Sequence, residues 1–438
     1  MKRLILILAC AAACIAPAAA QQRMFRSEFI PYDTREAAVD RNREADERFI
    51  PLLPDKVVDI GGVKAIHAKL QVPPSWRGTD VFIHLENVGA AYTLNVNGQT
   101  AAQAEDAFTP SEFRITPFVD AGANEVLIIL RGSNHPQLQQ DLPLPTRNSL
   151  ANSYVTSQRR AGIRDYDVQL RPDSLRRFGV LDLRVIVGND FNTEETVNVG
   201  FDIYSPQGKL LEYSVNEITV APRSLDTLRV SPYIYHTYEN KWPDGKAPLY
   251  NLTLYIQVGG VLREYIPLRI GFGRTEMVDG KLTRFDKPLD ISAERYNALG
   301  EEPTVRREIA QMKARGINTL RPDYPQPEWF YDVCDELGVM VIDRTAINAP
   351  EDRRNRKKGG SPSNDPSLLS EYLDRVKAMY TRSRNHTCVI AFDLGGPSGN
   401  GYNMYKADQW LKSVEQARPV IYSDADGEWN NDRIENLK

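Results

Sequence analysis

The sequence predicts a multidomain protein in which two antiparallel β-sandwiches are followed by an α/β part with a parallel sheet. Three observations support this prediction. Short alternating strands separated by turn residues run from Lys69 to Pro172, a second alternating block follows Arg176, and buried strands alternate with helical stretches after about Asp279. Period-two alternation is typical of half-buried strands, whereas strand–helix alternation is typical of a parallel sheet.

The chain begins with the features of a secretory signal peptide at residues 1–20. Lys2 and Arg3 form a basic start, an apolar run extends from Leu4 to Pro17, and three alanines end at Ala20. The apolar run is too short to span a bilayer, and the small residues are typical of a cleavage site. We therefore expect cleavage after Ala20 and export to the periplasm or the extracellular space.

Composition restricts the partners and cofactors that we expect. The net charge of −4 over 438 residues gives no reason to expect nucleic acid, and no later segment is apolar for long enough to span a membrane. The five histidines are scattered without metal-ligand spacing, so we predict neither a metal nor a cofactor. Cys334 and Cys388 are predicted to be buried thiols, with a disulfide in an oxidising compartment as the alternative.

The first sandwich is predicted at residues 21–172. Its strands include "VFIHLENV", "YTLNVNGQT" and "NEVLIIL", with Pro, Gly and Asn recurring between them. Asn97 and Gly98 lie between two alternating runs, which is a strong signal for a tight hairpin turn. The second sandwich is predicted at residues 173–276, where the strands recur at immunoglobulin-like spacing without the cysteines of an antibody domain.

The α/β part is predicted at residues 277–438. With "KPLDIS" as the first strand, followed by "GINTLRP", "GVMVIDR", "CVIAFDL" and "PVIYSD", it has about five β units, whereas a closed barrel of parallel strands has eight. The fifth strand would then be an open edge with unpaired backbone groups. We expect that edge to be covered by the tail "GEWNNDRIENLK", or to pair with a second copy or another protein.

Several stretches resemble glycoside hydrolase family 2, which includes β-galactosidases and β-glucuronidases. They are "VPPSWRGTDVFIHLENVGAAYTLNVNGQ", "RIGFGRTEMVDGKLTRFDKPL", "INTLRPDYPQPEWFYDVCDELGVMVID" and "RNHTCVIAFDLGGPSGNG". The resemblance implies that the first sandwich is a jelly-roll sugar-binding domain, that the second is immunoglobulin-like, and that the α/β part is an incomplete TIM-type barrel with about five of eight β/α units.

The resemblance also implies where the catalytic acids would stand. The family pattern R-N-H-P-S-V-I-x-W-S-L-G-N-E lies without gaps on Arg384 to Pro397, which puts Gly396 in place of the asparagine and Pro397 in place of the acid/base glutamate. A retaining glycosidase needs two carboxyl groups, one as acid/base and one as nucleophile. Proline has no titratable group, and the family's nucleophile belongs to a later strand, beyond Lys438. We therefore predict a protein without catalytic residues.

Other acids near the strand ends leave an alternative. Asp343 and Asp393 lie where parallel strands end, so a relocated pair of carboxylates is one interpretation. The other is that they bond backbone amides or pair with Arg321 and Arg344. In the family's D-E-A-N-I-E pattern this chain has Arg344 and Asn348 in place of carboxylates.

Sugars are held by aromatic faces and planar hydrogen-bonding groups, so such residues are the candidates for glycan contact. The candidates are Asn97, Asp141, Arg321, Asn385 and Trp429. Asn97 and Asp141 are what the resemblance implies, because an asparagine of the VNG hairpin and an aspartate of a later loop reach the active site in the family's β-galactosidases. Three functional interpretations follow: a glycan- or partner-binding protein of this family that does not cleave, an active β-glycosidase with relocated carboxylates, or an assembly protein that uses the open barrel edge.

Overall fold

The structure is a computed structural model that describes residues 21–86, 88–142, 150–350 and 361–437. The predicted signal peptide lies outside the described residues. In the described part of the chain, no helix is both long and apolar enough to cross a bilayer. A short helix, α1 (Arg35–Asp40), lies in the segment before the first strand.

The first sandwich packs two antiparallel sheets face to face. Its strands are β1 Phe49–Pro51, β2 Pro54–Ile60, β3 Val63–Val72, β4 Asp80–Leu85, β5 Ala91–Val96, β6 Gln99–Ala104, β7 Ser111–Arg114, β8 Gly122–Arg131 and β9 Tyr154–Gln158. The sheets have the orders β1-β9-β4-β7 and β2-β3-β8-β5-β6. Alternate residues such as Ile66, Leu94 and Phe113 fill the core between them. Asn97 and Gly98 join β5 to β6 with φ of 50° and 76°, which confirms the predicted turn.

The second sandwich has two further antiparallel sheets. Its strands are β10 Ala161–Pro172, β11 Gly179–Asn189, β12 Glu195–Tyr204, β13 Leu210–Val220, β14 Ser224–Val230, β15 Tyr233–Ile234, β16 Leu249–Val258 and β17 Val261–Gly271. The orders are β10-β11-β14, with β15 on β11, and β13-β12-β16-β17. The predicted boundary at residue 172 puts β10 in the first sandwich. In the structure it pairs with β11 from end to end, so this strand belongs to the second sandwich's sheet.

The α/β part contains a parallel sheet of five strands in chain order. Its elements are β21 Ala293–Arg295, α2 Glu302–Ala314, β22 Thr319–Arg321, α3 Glu328–Leu337, β23 Met340–Arg344, α4 Leu369–Ser383, β24 Val389–Asp393, α5 Tyr402–Val414 and β25 Val420–Ile421. A small antiparallel sheet precedes it, made of β18 Glu276–Val278, β19 Lys281–Arg284 and β20 Lys287–Pro288. The prediction of "KPLDIS" as the first parallel strand was wrong, because its start pairs with β19 and the parallel strand begins at Ala293.

The C-terminal tail lies along the open edge of the parallel sheet. Asp432 pairs with the edge strand β25, donating its amide N to the Val420 carbonyl at 2.8 Å and accepting the Val420 amide N at 2.8 Å. Asn436 then bonds the backbone of Leu282, and Leu437 forms a bridge with Ile291 just before β21. The tail therefore covers the edge and reaches the other side of the sheet, the intramolecular cover that we expected.

Candidate functional site

The turn after β24 occupies the place where the resemblance puts the acid/base. Pro397 is half-buried, and its carbonyl accepts the Ala349 amide at 3.0 Å. The amides of Ser398 and Gly399 donate to Asp424 Oδ2 at 2.9 and 3.0 Å. Backbone hydrogen bonds thus fix the conformation of this turn, while the residue at its tip has no group that can transfer a proton.

The neighbouring glycine is in contact with a side chain of the preceding loop. A Cβ at Gly396 would lie 2.2 Å from Asn348 Oδ1, so a side chain at position 396 and Asn348 compete for the same space. Asn348 is held in place because its Nδ2 donates to the Gln140 carbonyl at 2.6 Å. Asp141, one of the glycan candidates, follows Gln140 and is exposed. Because Gln140 is bonded to Asn348, this loop of the first sandwich reaches the turn at Pro397.

A row of alternating charges crosses the carboxyl ends of the parallel strands. We call it the charge row, and in spatial order it consists of Arg295, Asp323, Arg344, Asp393 and Arg321. Asp323 accepts from Arg295 at 2.7 Å and lies 3.4 Å from Arg344. Asp393 Oδ2 accepts from Arg344 Nε and Nη2 at 2.9 and 2.8 Å, with Arg321 Nη2 at 3.8 Å. Both ends of the row are cationic.

Asp343 is buried below the charge row and does not belong to it. Its Oδ1 accepts from the Tyr331 hydroxyl at 2.9 Å and from the Arg344 amide at 3.0 Å. Burial raises the pKa of Asp343 to about 6 from an ordinary value of 3.8, because the charged form loses its hydration. Its contacts, like those of Asp393, match the interpretation in which these acids bond backbone amides or pair with arginines.

The other glycan candidates are dispersed over the molecule. Asn97 bonds within the first sandwich, where Nδ2 donates to the Phe118 carbonyl at 2.9 Å and to Asn124 Oδ1 at 2.8 Å. Trp429 is 56% exposed. Its ring stacks on Tyr405 at a centroid distance of 5.4 Å. Tyr405 belongs to the first turn of α5, just after the loop at the carboxyl end of β24. Arg321 and Trp429 therefore both lie at that end of the sheet, whereas the side chain of Asn97 makes hydrogen bonds within the first sandwich.

Asn385 lies at the opposite, amino end of β24, in contact with the second sandwich. Its Oδ1 accepts the Val168 amide at 2.9 Å, and its Nδ2 donates to Ser27 Oγ at 2.8 Å. His386 beside it bonds Asp335 at 2.8 Å and Glu328 at 2.9 Å. Burial would lower the pKa of His386, but these two carboxylates raise it well above its ordinary value. A cavity of about 890 Å³ opens here between the domains.

Two buried groups of metal-binding residue types are revealed only by the structure. The first comprises Glu28, His84 and Glu86, and the second comprises Asp335, His386 and Cys388. In the first group Arg382 already supplies a cation, with Nη1 at 3.0 Å from Glu28 Oε2. In the second, Asp335 accepts both His386 Nδ1 and the Cys388 amide. Hydrogen bonds and ion pairs thus account for both groups. Sequence reasoning missed them because the third member of each group, Glu28 or Asp335, is far from the other two in the chain.

The two cysteines in the described part of the chain are buried free thiols, as predicted. Cys334 and Cys388 both lie in the core of the α/β part. Burial raises the pKa of both thiols well above the ordinary value. Neither thiol is therefore a nucleophile at neutral pH.

Comparison with known families identifies the two terminal parts of the chain. A model of the family 2 glycosyl hydrolase sugar-binding domain matches residues 48–141, and a model of the family 2 TIM barrel domain matches residues 293–437. Together they cover more than half of the chain. The chain belongs to glycosyl hydrolase family 2. It therefore has the multidomain fold that the sequence analysis predicted, with a sugar-binding β-sandwich and part of a TIM-type barrel.

Two β-galactosidases are among the proteins whose sequences are similar to this chain. The chain is 25% identical over 399 residues to a β-galactosidase of Priestia megaterium, covering 86% of this chain and 38% of that protein. It is 27% identical over 361 residues to a β-galactosidase of Streptococcus thermophilus, covering 78% and 34%. The chain thus spans little more than a third of the length of these curated relatives.

Solved structures show the same fold. A β-glucuronidase of Bacteroides uniformis matches with a TM-score of 0.68 at 16% identity, covering 82% of this chain and 46% of that one. A putative β-galactosidase of Bacteroides fragilis matches with a TM-score of 0.67 at 14% identity, covering 92% and 64%.

Proposed function

We propose that this family 2 protein is exported and binds a glycan at the carboxyl end of its parallel sheet without cleaving it. The observation that carries the proposal is Pro397, at the strand end where the resemblance places the acid/base. Cleavage with retention requires a proton donor for the leaving oxygen, and a pyrrolidine ring cannot supply one. Loss of one member of a catalytic pair removes most of the rate enhancement, because the two groups act as a unit.

The nearby acids are poorly placed to substitute. Asp393 Oδ2 is held by Arg344, and its Oδ1 accepts the Gly395 amide at 3.2 Å. Asp343 faces Tyr331 in the core. Turning either carboxyl group toward a sugar would break these bonds and leave buried donors unpaired, at a cost of about 1–3 kcal/mol for each donor.

The charge row gives an independent argument against cleavage. Glycoside hydrolysis passes through an oxocarbenium-like transition state in which the sugar carries positive charge. The row contains three guanidinium groups and two carboxylates, so its net charge is positive. Such an environment destabilises a developing cation.

An exposed aromatic face at the same end of the sheet supports glycan binding. One face of the Trp429 ring is covered by Tyr405. Tyr405 is itself fixed by a hydrogen bond from its hydroxyl to Glu428 Oε2 at 2.5 Å. The indole is therefore pre-ordered and largely exposed, and the apolar face of a pyranose ring can stack on such a surface.

Turnover and binding are tested separately. Purified protein is incubated with a panel of aryl β-galactosides and β-glucuronides beside Asp343→Asn and Asp393→Asn. We expect no aryl release above the rate in buffer. Release that either substitution abolishes would contradict the proposal and favour relocated carboxylates. N-terminal sequencing of protein recovered from the medium or periplasm tests export.

Binding is measured by titrating oligosaccharides derived from galactans and following tryptophan fluorescence and heat. We expect Trp429→Ala to weaken glycan binding by up to about tenfold, since an aromatic stacking contact contributes about 0.5–1.5 kcal/mol. Tyr213→Ala removes a similarly exposed aromatic side chain from β13 and should leave binding unchanged. Co-purification of a protein partner without any glycan binding would instead favour the assembly interpretation.

A further inference from the structure

Arg321 makes fewer side-chain hydrogen bonds than any other member of the charge row. Its side chain is 31% exposed. The nearest carboxylate oxygen, Asp393 Oδ2, lies 3.8 Å away, too far for a hydrogen bond. Among the described residues, its guanidinium donates no hydrogen bond. Five N–H groups at the carboxyl end of β22 are therefore available to another acceptor.

The arginine side chains of the charge row are more exposed than its aspartate side chains. The side chains of Arg295, Arg321 and Arg344 are 69%, 31% and 17% exposed, whereas those of Asp323 and Asp393 are 3% and 1% exposed. The carboxylates thus lie behind the guanidinium groups. A ligand that approaches this end of the sheet meets the cations first.

The positive charge of the row is not neutralised by its own members. Asp393 is already bonded twice by Arg344, and Asp323 is shared between Arg295 and Arg344. Arginine stays protonated at any pH at which the protein is folded, so one guanidinium charge remains in excess.

We infer that the charge row binds an oxyanion carried by the glycan, a sugar carboxylate or a sulfate ester. This inference rests on the proposed function and specifies the glycan as acidic. A guanidinium presents two parallel N–H groups that match the paired oxygens of either anion. Arg321 is the principal contact, and Arg295, at the other end of the row, adds longer-range attraction.

The test compares matched acidic and neutral oligosaccharides on the intact protein. Oligogalacturonate, a sulfated galactan oligomer and a neutral galactan oligomer of equal length are titrated calorimetrically into the parent protein, Arg321→Gln, Arg321→Lys and Arg315→Gln. Arg315 is the control because it is an exposed arginine at the C-terminal end of α2, paired only loosely with Glu294 at 3.7 Å. Thermal unfolding of each variant confirms that the fold is retained.

We expect at least one acidic oligomer to bind the parent about tenfold more tightly than the neutral one, with the preference reduced at high salt. Arg321→Gln should remove most of this preference, because it weakens the binding of the acidic oligomer much more than that of the neutral one, and Arg321→Lys should retain part of the preference. The two acidic arms show which oxyanion is preferred.

Two results would overturn the inference. One is equal affinity for acidic and neutral oligomers in the parent protein, which leaves the proposed glycan binding intact. The other is an equal loss of the preference in Arg321→Gln and Arg315→Gln, which would assign it to overall charge. If no oligomer of any kind binds, the proposed function itself fails, and the inference fails with it.

Discussion

The two ends of β24 differ in how well they match the family pattern. At the amino end, Arg384, Asn385 and His386 match the family's R-N-H, and each is bonded to another domain or to a neighbouring helix. At the carboxyl end, the same pattern laid on the chain without gaps puts Gly396 and Pro397 at the positions of its asparagine and glutamate. One strand thus joins a segment that matches the pattern to a segment that departs from it.

Under the proposed function, the requirements for folding and for catalysis are separated within one strand. Arg384 Nη2 donates to buried Asp165 at 2.6 Å and to the Tyr166 carbonyl at 3.0 Å, which links the barrel to β10. Loss of such a cation leaves a carboxylate buried and unpaired, so substitution is costly. A residue that serves only the reaction has no such role, and its replacement needs only to fit the surrounding loops.

The largest effect is expected at the amino end. Arg384→Ala should lower the free energy of unfolding by about 3–5 kcal/mol, because it leaves the Asp165 carboxylate without its guanidinium partner in the domain interface. Urea denaturation followed by circular dichroism measures the change.

The control for this prediction is Arg171→Ala on the same strand, β10. Arg171 pairs with Asp182, and both side chains are about a third exposed. An exposed pair contributes at most about 1 kcal/mol. Equal losses in the two variants would mean that the amino end is no more constrained than the surface.

A smaller effect is expected from restoring a family residue at the carboxyl end. Gly396→Asn should destabilise the protein by about 2–3 kcal/mol, since a Cβ at 396 would lie 2.2 Å from Asn348 Oδ1 and the loops must shift to admit it. The same urea denaturation applies.

An Asn348→Ala background tests the mechanism of that effect. With the competing side chain removed, Gly396→Asn should lower the free energy of unfolding by clearly less than it does in the parent protein. The difference between the two losses is the coupling energy between positions 348 and 396. A cost that is the same in both backgrounds would exclude competition between these side chains and point to the backbone of the turn.

The architecture could be predicted because two blocks of alternating strands give way to strand–helix alternation after about Asp279. The Asn97-Gly98 turn could be predicted because that pair favours positive φ at both residues. It misplaced the first parallel strand, since the short run after Lys287 is apolar enough for either a hairpin or a buried strand. It offered the pairing of Asp393 with Arg344 and Arg321 as one interpretation, but it did not find the other half of the charge row. Arg295 and Asp323 are 28 residues apart and meet only because β21 and β22 are adjacent in the sheet.

The smallest effect concerns Asp343 and depends on pH. Burial raises its pKa to about 6 in the folded protein, so between pH 4 and 6 the unfolded chain releases this proton while the folded chain retains it. The stability that protonated Asp343 contributes below pH 4 is therefore lost as the pH rises through the folded pKa of about 6, and the loss is nearly complete by about pH 7. Asp343→Asn has no proton to lose. The unfolding free energy of the parent minus that of the variant should fall by on the order of 2 kcal/mol between pH 4 and 6, fall slightly further up to about pH 7, and then stay level up to pH 8. Denaturation series at pH 4, 5, 6 and 8 measure this difference, in which the titrations of other groups cancel.

A difference that stays level at every pH would mean that burial does not raise the pKa of Asp343 in the folded protein. Asp343 would then again be one of the acids that could act on a substrate.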